Sequence, residues 1–193
     1  MPENELSIDA KTTAFVVIDL QKGIASQQTM PHAASSVVAN CAKIADKFRQ
    51  AGAQVVLVRV AFVEDGSDRV QVQVDSTPFR SGALPADWSI IVPEMGPKEH
   101  DIVITKKQWG AFYGTELDLQ LRRRGIKTIV IGGISTNFGV ESTARDAFEH
   151  NYALIFVEDG MAGLKAEMHE FAVQNIFPRL GRVRTTQEVL SGW

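Results

Sequence analysis

Three polar stretches of this chain each follow an apolar, β-branched run: Asp19 follows Ala14–Ile18, Lys106 follows Ile102–Ile104, and Ser135–Gly139 follows Thr128–Ile131. In open parallel sheets, ligands bind beyond the carboxyl ends of the strands, where loops from several strands converge. An acid, a base and a turn are thus expected at one place, where proton transfer becomes possible because each charge shifts the other's pKa. The third stretch, Gly132 to Ala147, reads as strand, turn and helix. A residue opening such a helix has backbone N–H groups and the positive end of the helix dipole beside it, surroundings that lower a thiol pKa and suit a nucleophile. That residue is Gly139, which has no side chain to offer.

The turn, with Gly133, Thr136, Asn137 and Val140 followed by Thr143-Ala144-Arg145-Asp146-Ala147, resembles the pattern Gly-x-x-Thr-(Asp/Asn)-x-Cys-Val and Thr-Ala-Arg-Asp-Ala of the isochorismatase-like hydrolases, also called the cysteine hydrolase family. Val16-Val17-Ile18-Asp19-Leu20-Gln21 and Thr105 to Thr115 resemble two further landmarks of that family, in the same order. The resemblance covers nearly the whole chain. It implies a three-layer α/β/α sandwich around a mostly parallel, doubly wound sheet of about six strands. It also implies roles: Asp19 as acid or base, Lys106 as its electrostatic partner, and Gly139 where the family nucleophile stands. A non-proline cis peptide at Ile134-Ser135 is implied as well, with the N–H groups of Ser135 and Gly139 as an oxyanion hole.

Without a thiolate no thioester can form, and losing a nucleophile costs about 10⁴ to 10⁶ in rate. Isochorismatases resemble this chain in carrying glycine there, and they cleave a vinyl ether by proton donation from the aspartic acid. The first expectation is therefore a hydrolase acting on a small vinyl ether, amide or ester without a covalent intermediate. Isochorismate itself is not expected, since the glutamine those enzymes carry near the end of the second strand aligns with Phe62. The other reading is a catalytically inactive binding or assembly protein on the same fold. A third gives Ser135 or Thr136 the nucleophile's part, although neither has a histidine nearby in sequence.

Phe62, Trp109, Phe112, Ser135 and Phe138 border the site along the chain and are the candidate substrate contacts, with core packing as the competing explanation for the aromatic ones. Arg80 is a solvated arginine or a partner for a substrate carboxylate. Arg145 and Asp146 read as a capping or packing ion pair, and Glu158-Asp159-Gly160 as a turn device.

Nicotinamidases of the family hold a metal with an Asp-x-His-x-x-x-His-like cluster after the second strand, where this chain reads Arg59-Val60-Ala61-Phe62-Val63-Glu64. His32, His100, His150 and His169 are scattered and show no ligand spacing, so neither metal nor cofactor is expected. The single cysteine, Cys41, shares a helical face with Val37, Ile44 and Phe48 and reads as a small core hydrophobe.

The 193 residues fit one domain that buries roughly 70% of its unfolded surface. A net charge of −3 offers no footprint for nucleic acid or anionic lipid, and no window approaches a membrane span. The expected setting is cytoplasmic, with a small-molecule substrate as the partner.

Strands are expected at Ala14–Ile18, Val55–Val60, Ile102–Ile104, Thr128–Ile131 and Leu154–Val157, with an edge strand at Gly181–Arg184. Their unbroken apolar runs suit strands covered on both faces. Helices are expected at Ser35–Gln50, Thr115–Arg124, Asn137–His150 and Lys165–Phe177, the second opened by a capping box of Thr115 and Asp118 and the last stopped by Pro178. Gly52 and Gly125 stand just past helix ends. In the long connection from Ala61 to Asp101, the alternating valines Val70, Val72 and Val74 predict either a short ribbon or a subunit contact in a homo-oligomer, a dimer or tetramer.

Overall fold

The computed structural model describes residues 6–76 and 84–193. Its elements in chain order are β1 (Thr13–Ile18), α1 (Lys22–Ala25), α2 (Ala34–Gln50), β2 (Gln54–Val60), β3 (Ile102–Lys106), α3 (Leu117–Arg123), β4 (Thr128–Ile134), a π-helical turn (Thr136–Val140), α4 (Glu141–Glu149), β5 (Ala153–Ala162), α5 (Ala166–Phe171), a second π-helical turn (Ala172–Ile176), α6 (Phe177–Leu180), β6 (Arg182–Arg184) and α7 (Thr186–Ser191). The six strands form one sheet in the order β3-β2-β1-β4-β5-β6, every neighbouring pair parallel.

The unalternating strand sequences follow from two cores, one on each face of the sheet. Along β1, Phe15 and Val17 pack with Val37, Cys41, Ile44 and Phe48 of α2, whereas Ala14, Val16 and Ile18 pack with Leu117, Ala144 and Phe177 on the other side. Every residue of β1 is buried. Each large apolar side chain so covered contributes about 1.5–3 kcal/mol relative to an exposed one, which is why neither face tolerates a polar alternation. Cys41 is fully buried on the α2 side, as expected, and burial raises its thiol pKa far from any reactive range.

The strand order reverses direction between β1 and β4, which makes the carboxyl ends of these two strands the topological switch point. Close approach there depends on Gly133, whose φ is +125° and where a β-carbon would stand 2.0 Å from the Ile18 carbonyl oxygen. Gly52 and Gly125 have the left-handed φ expected beyond helix ends.

Several expectations are corrected. Thr115 and Asp118 form no capping box: the Thr115 hydroxyl donates to Ala111 O and accepts from Leu117 N, while Asp118 accepts from Arg122 and Tyr152. A capping box occurs instead between Thr185 and Glu188, opening α7. Pro178 does not end a helix but lies in the first turn of α6, where its missing N–H costs nothing. The long helices expected after Asn137 and Lys165 are each interrupted by, or begin with, a π-helical turn. Residues 70–74 form no ribbon, and Val70, Val72 and Val74 are exposed. Arg80 lies outside the described residues.

The expected turn at Glu158-Asp159-Gly160 falls inside β5. Pairing passes from Ile131↔Phe156 to Gly133↔Met161, two residues on along β4 but five along β5, so these residues bulge out of register. A bulge re-aims side chains that a regular strand would hold against its neighbour. It frees Glu158 and Asp159 for partners outside the sheet.

Candidate functional site

Asp19 is the first residue beyond β1. Its φ of +54° is unusual for a residue with a side chain, and its N–H donates to Val58 O at 2.9 Å, which fixes the turn. Lys106 closes β3, on the far side of β2, and its side chain crosses the end of that strand. Its Nζ donates to Asp19 Oδ2 at 2.7 Å and to Gln108 O at 3.0 Å. Both residues are buried, Asp19 at 4% and Lys106 at 2% exposure. The second carboxyl oxygen, Oδ1, is buried without a hydrogen-bond partner.

These surroundings act on the Asp19 carboxyl in opposite directions. Burial disfavours the ionised form, and the charge and hydrogen bond of Lys106 favour it; burial prevails and lifts the pKa from 3.8 to about 6.

Gly139 lies in the π-helical turn, at the switch point. Its φ is not left-handed, so the backbone does not require glycine; the space does. A β-carbon would stand 2.9 Å from Ile18 Cγ2 and 3.0 Å from Asp19 Oδ2, closer than side-chain carbons pack. The position where the family pattern places cysteine is thus partly filled by the carboxyl group. Thr143 ties this turn to the preceding loop, its hydroxyl donating to Gly139 O at 2.7 Å and accepting from Ala111 N at 3.1 Å. The Ile134-Ser135 peptide is cis.

The structure brings Asp19, Lys106 and Gly139 together and distributes the five substrate-contact candidates unevenly. Trp109 and Phe138 pack ring against ring at 4.9 Å, Trp109 half exposed, and the Trp109 carbonyl oxygen is 3.6 Å from where a Gly139 β-carbon would be. Ser135 Oγ donates to Asn137 Oδ1. Phe62 stacks on Trp88 at the end of β2 and carries the Arg69 guanidinium on its face. Phe112 is turned into the core, against Tyr152 and the His150 ring. Two surface depressions, of about 410 and 650 Å³, are lined by other residues entirely.

Sequence reasoning gave Gln21 no role. Its buried amide donates to Val60 O and Trp88 O and accepts from Val60 N, clamping the end of β2 beside Asp19. Nor did it foresee a second polar cluster at the other end of the π-helical turn. Thr136 Oγ1 lies 2.9 Å from His169 Nδ1, His169 Nε2 lies 3.3 Å from Glu158 Oε1, and His32 Nε2 lies 2.8 Å from the same oxygen. Thr136 therefore has a histidine beside it in space, although none stands near it in the sequence. Its hydroxyl is fully buried, however, and burial lowers the His169 pKa. His32 and His169, which show no ligand spacing along the chain, are brought together by the fold on Glu158, 126 and 11 residues away from them. Among the described residues, His32, Glu158 and His169 are the group able to hold a metal ion.

Arg145 pairs with Glu141 one helical turn away rather than with Asp146, and Asp159 Oδ1 accepts from the backbone and hydroxyl of Thr186. Neither touches the Asp19 centre. No helix among the described residues is long and apolar enough to cross a membrane.

Comparison with known proteins gives the same placement. The isochorismatase domain matches residues 13–188. The chain is 50% identical to the isochorismatase family protein YwoC of Bacillus subtilis over 188 residues, 97% of each chain. It is 31% identical to the ureidoacrylate amidohydrolase RutB of Variovorax paradoxus, covering 95% of this chain and 82% of RutB. The solved structure of an isochorismatase family protein from Burkholderia thailandensis superposes with a TM-score of 0.93 at 41% identity, over 98% of both chains.

Proposed function

The chain belongs to the isochorismatase family, which includes hydrolases, and from that premise we propose that it hydrolyses a small molecule by acid–base chemistry without a covalent intermediate. Asp19 is the proton donor and Lys106 its electrostatic partner. The observation that carries this reading is the Asp19 carboxyl: Oδ2 is committed to Lys106, Oδ1 has no protein partner, and the pKa of about 6 leaves a useful protonated fraction near neutrality.

Vinyl ethers are the substrate class that fits best. A proton leaving Oδ1 adds to the terminal alkene carbon, and the π electrons become the new C–H bond. The ether oxygen stabilises the resulting cation, and water adds to the cationic carbon and loses a proton to the Asp19 carboxylate. The hemiketal then separates into a carbonyl compound and an alcohol. No step needs a nucleophile at position 139. Esters and amides are the second class, with ionised Asp19 drawing a proton from the attacking water.

The test is a panel of small vinyl ethers, esters and amides with the purified protein, and Asp19→Asn as the blank. Asparagine tolerates a left-handed φ, but it leaves the buried Lys106 ammonium without its counter-charge, so the fold of the blank is checked by circular dichroism before rates are compared. Turnover by the wild type that falls about 10²- to 10⁴-fold in the variant is expected. Equal rates for the two proteins across the panel would refute the role of Asp19.

A further inference from the structure

We propose that His32, Glu158 and His169 form a binding site for one divalent transition metal of the zinc class, placed to brace the π-helical turn from the side opposite Gly139. The donor atoms of the three side chains all lie within 4.8 Å of one another. Around tetrahedral zinc, with bonds of about 2.0–2.1 Å to nitrogen and oxygen, donors stand roughly 3.3 Å apart. The Glu158 Oε1 distances of 2.8 Å to His32 Nε2 and 3.3 Å to His169 Nε2 are close to that spacing, so a metal needs only a small opening of the group.

Each ligand is held by something other than its fellows. The far nitrogen of His169 meets Thr136 Oγ1 at 2.9 Å; with Nδ1–H donating there, the Nε2 lone pair is left for the metal, the arrangement that orients ligating histidines generally. The segment before His32 is fixed to the end of β5 by two reciprocal backbone bonds of 2.8 Å between Met30 and Gly163, and Thr29 Oγ1 donates to His32 O. Glu158 is presented by the β5 bulge. His169 is buried, while the side chains of His32 and Glu158 are about one-third exposed, which gives the metal a way in and leaves an open fourth position.

Donor chemistry selects the ion. Two imidazoles and one carboxylate suit zinc and its neighbours, whereas magnesium and calcium take oxygen ligands. The site is separate from the proton donor, which stands at the other end of the turn.

The experiment uses full-length, tag-free protein stripped with a chelator and dialysed. Calorimetric titration with Zn²⁺ is expected to give one site per chain, with a rise in Tm, and Co²⁺ to give visible absorption of tetrahedral intensity. His32→Ala and Glu158→Gln, both at partly exposed positions, are expected to weaken Zn²⁺ binding roughly tenfold or more with unchanged circular dichroism. His100→Ala, at a fully exposed histidine, is expected to leave it unchanged. Lack of saturable binding by the wild type, or wild-type affinity in both ligand variants, would overturn the proposal. Neither outcome bears on Asp19, which is tested by turnover.

Discussion

The π-helical turn Thr136–Val140 has a polar cluster at each end, one partly exposed and one buried, and the two are balanced differently. At the Thr136 end, the hydroxyl, both imidazoles and the carboxylate all find partners within hydrogen-bond distance. At the Gly139 end, one carboxyl oxygen holds Lys106 and the other is buried with none. An unpaired buried polar group costs about 1–3 kcal/mol and persists only where something is gained by it. A fully paired cluster fixes the shape of the turn. An incompletely paired one keeps an atom available for chemistry.

The contrast is most strongly tested by removing the unpaired atom's proton. Asp19→Asn is expected to abolish turnover of any substrate found in the panel, by about 10²- to 10⁴-fold, and also to lower Tm, because the buried Lys106 loses its counter-charge. Lys106→Met comes next. Removing one partner of a buried pair costs about 3–5 kcal/mol when the other stays charged, but Asp19 can escape by taking up a proton. Denaturant unfolding should therefore show the largest loss near pH 8 and a smaller loss near pH 5. Lys106 is also what lowers the Asp19 pKa, so the activity limb of this variant should move to higher pH.

The pH dependence of the wild type follows from the same group. An acid catalyst must be protonated, so kcat/KM is expected to be level below about 6 and to fall tenfold per pH unit above it. A rate that instead rises through pH 6 would make Asp19 a base and place esters or amides first. For stability the sign is also fixed. The folded state holds the proton more tightly than the unfolded one, so the Asp19 contribution is complete below 3.8 and is lost as pH rises through about 6.

Smaller effects separate the two ends further. Gly139→Ala inserts a methyl group 3.0 Å from Asp19 Oδ2 and should cost about 1–3 kcal/mol, read in urea, while also displacing the pH limb. Thr136→Val keeps the shape but strands His169 Nδ1, and should cost about 1–3 kcal/mol while leaving the limb where it is. If Thr136→Val moved the limb as far as Gly139→Ala does, the two clusters would be one.

Legibility in the sequence divides along the same line. Asp19, Lys106 and the Gly139 turn were visible because each ends or follows a strand, and strands announce themselves locally through apolar runs. Five of the six strands were foreseen for that reason, whereas the sixth, at Gly181–Arg184, was expected only as an edge strand and has no apolar run. The other cluster joins residues 33, 11 and 126 positions apart, and no local signal records such a meeting. Asp159-Gly160 does signal a break, but the sequence cannot distinguish a turn that ends a strand from a bulge that interrupts one. Two capping-box patterns in the sequence show the same limit. Thr115 and Thr185 both have an acidic residue three positions on, and only the second finds its helix starting in register.

One consequence of the crowding around Gly139 concerns which proteins lie one step away in sequence space. A β-carbon there meets Ile18 Cγ2 at 2.9 Å and Asp19 Oδ2 at 3.0 Å, so cysteine enters only at a cost, with these two side chains shifting to admit it. The path from this chain to a thiol hydrolase is therefore epistatic. A change at Ile18 that removes its branched methyl relieves one of the two contacts and is favoured before, or together with, the cysteine. In a library selected for amide hydrolysis, Gly139→Cys should be recovered coupled to substitution of Ile18, and seldom alone.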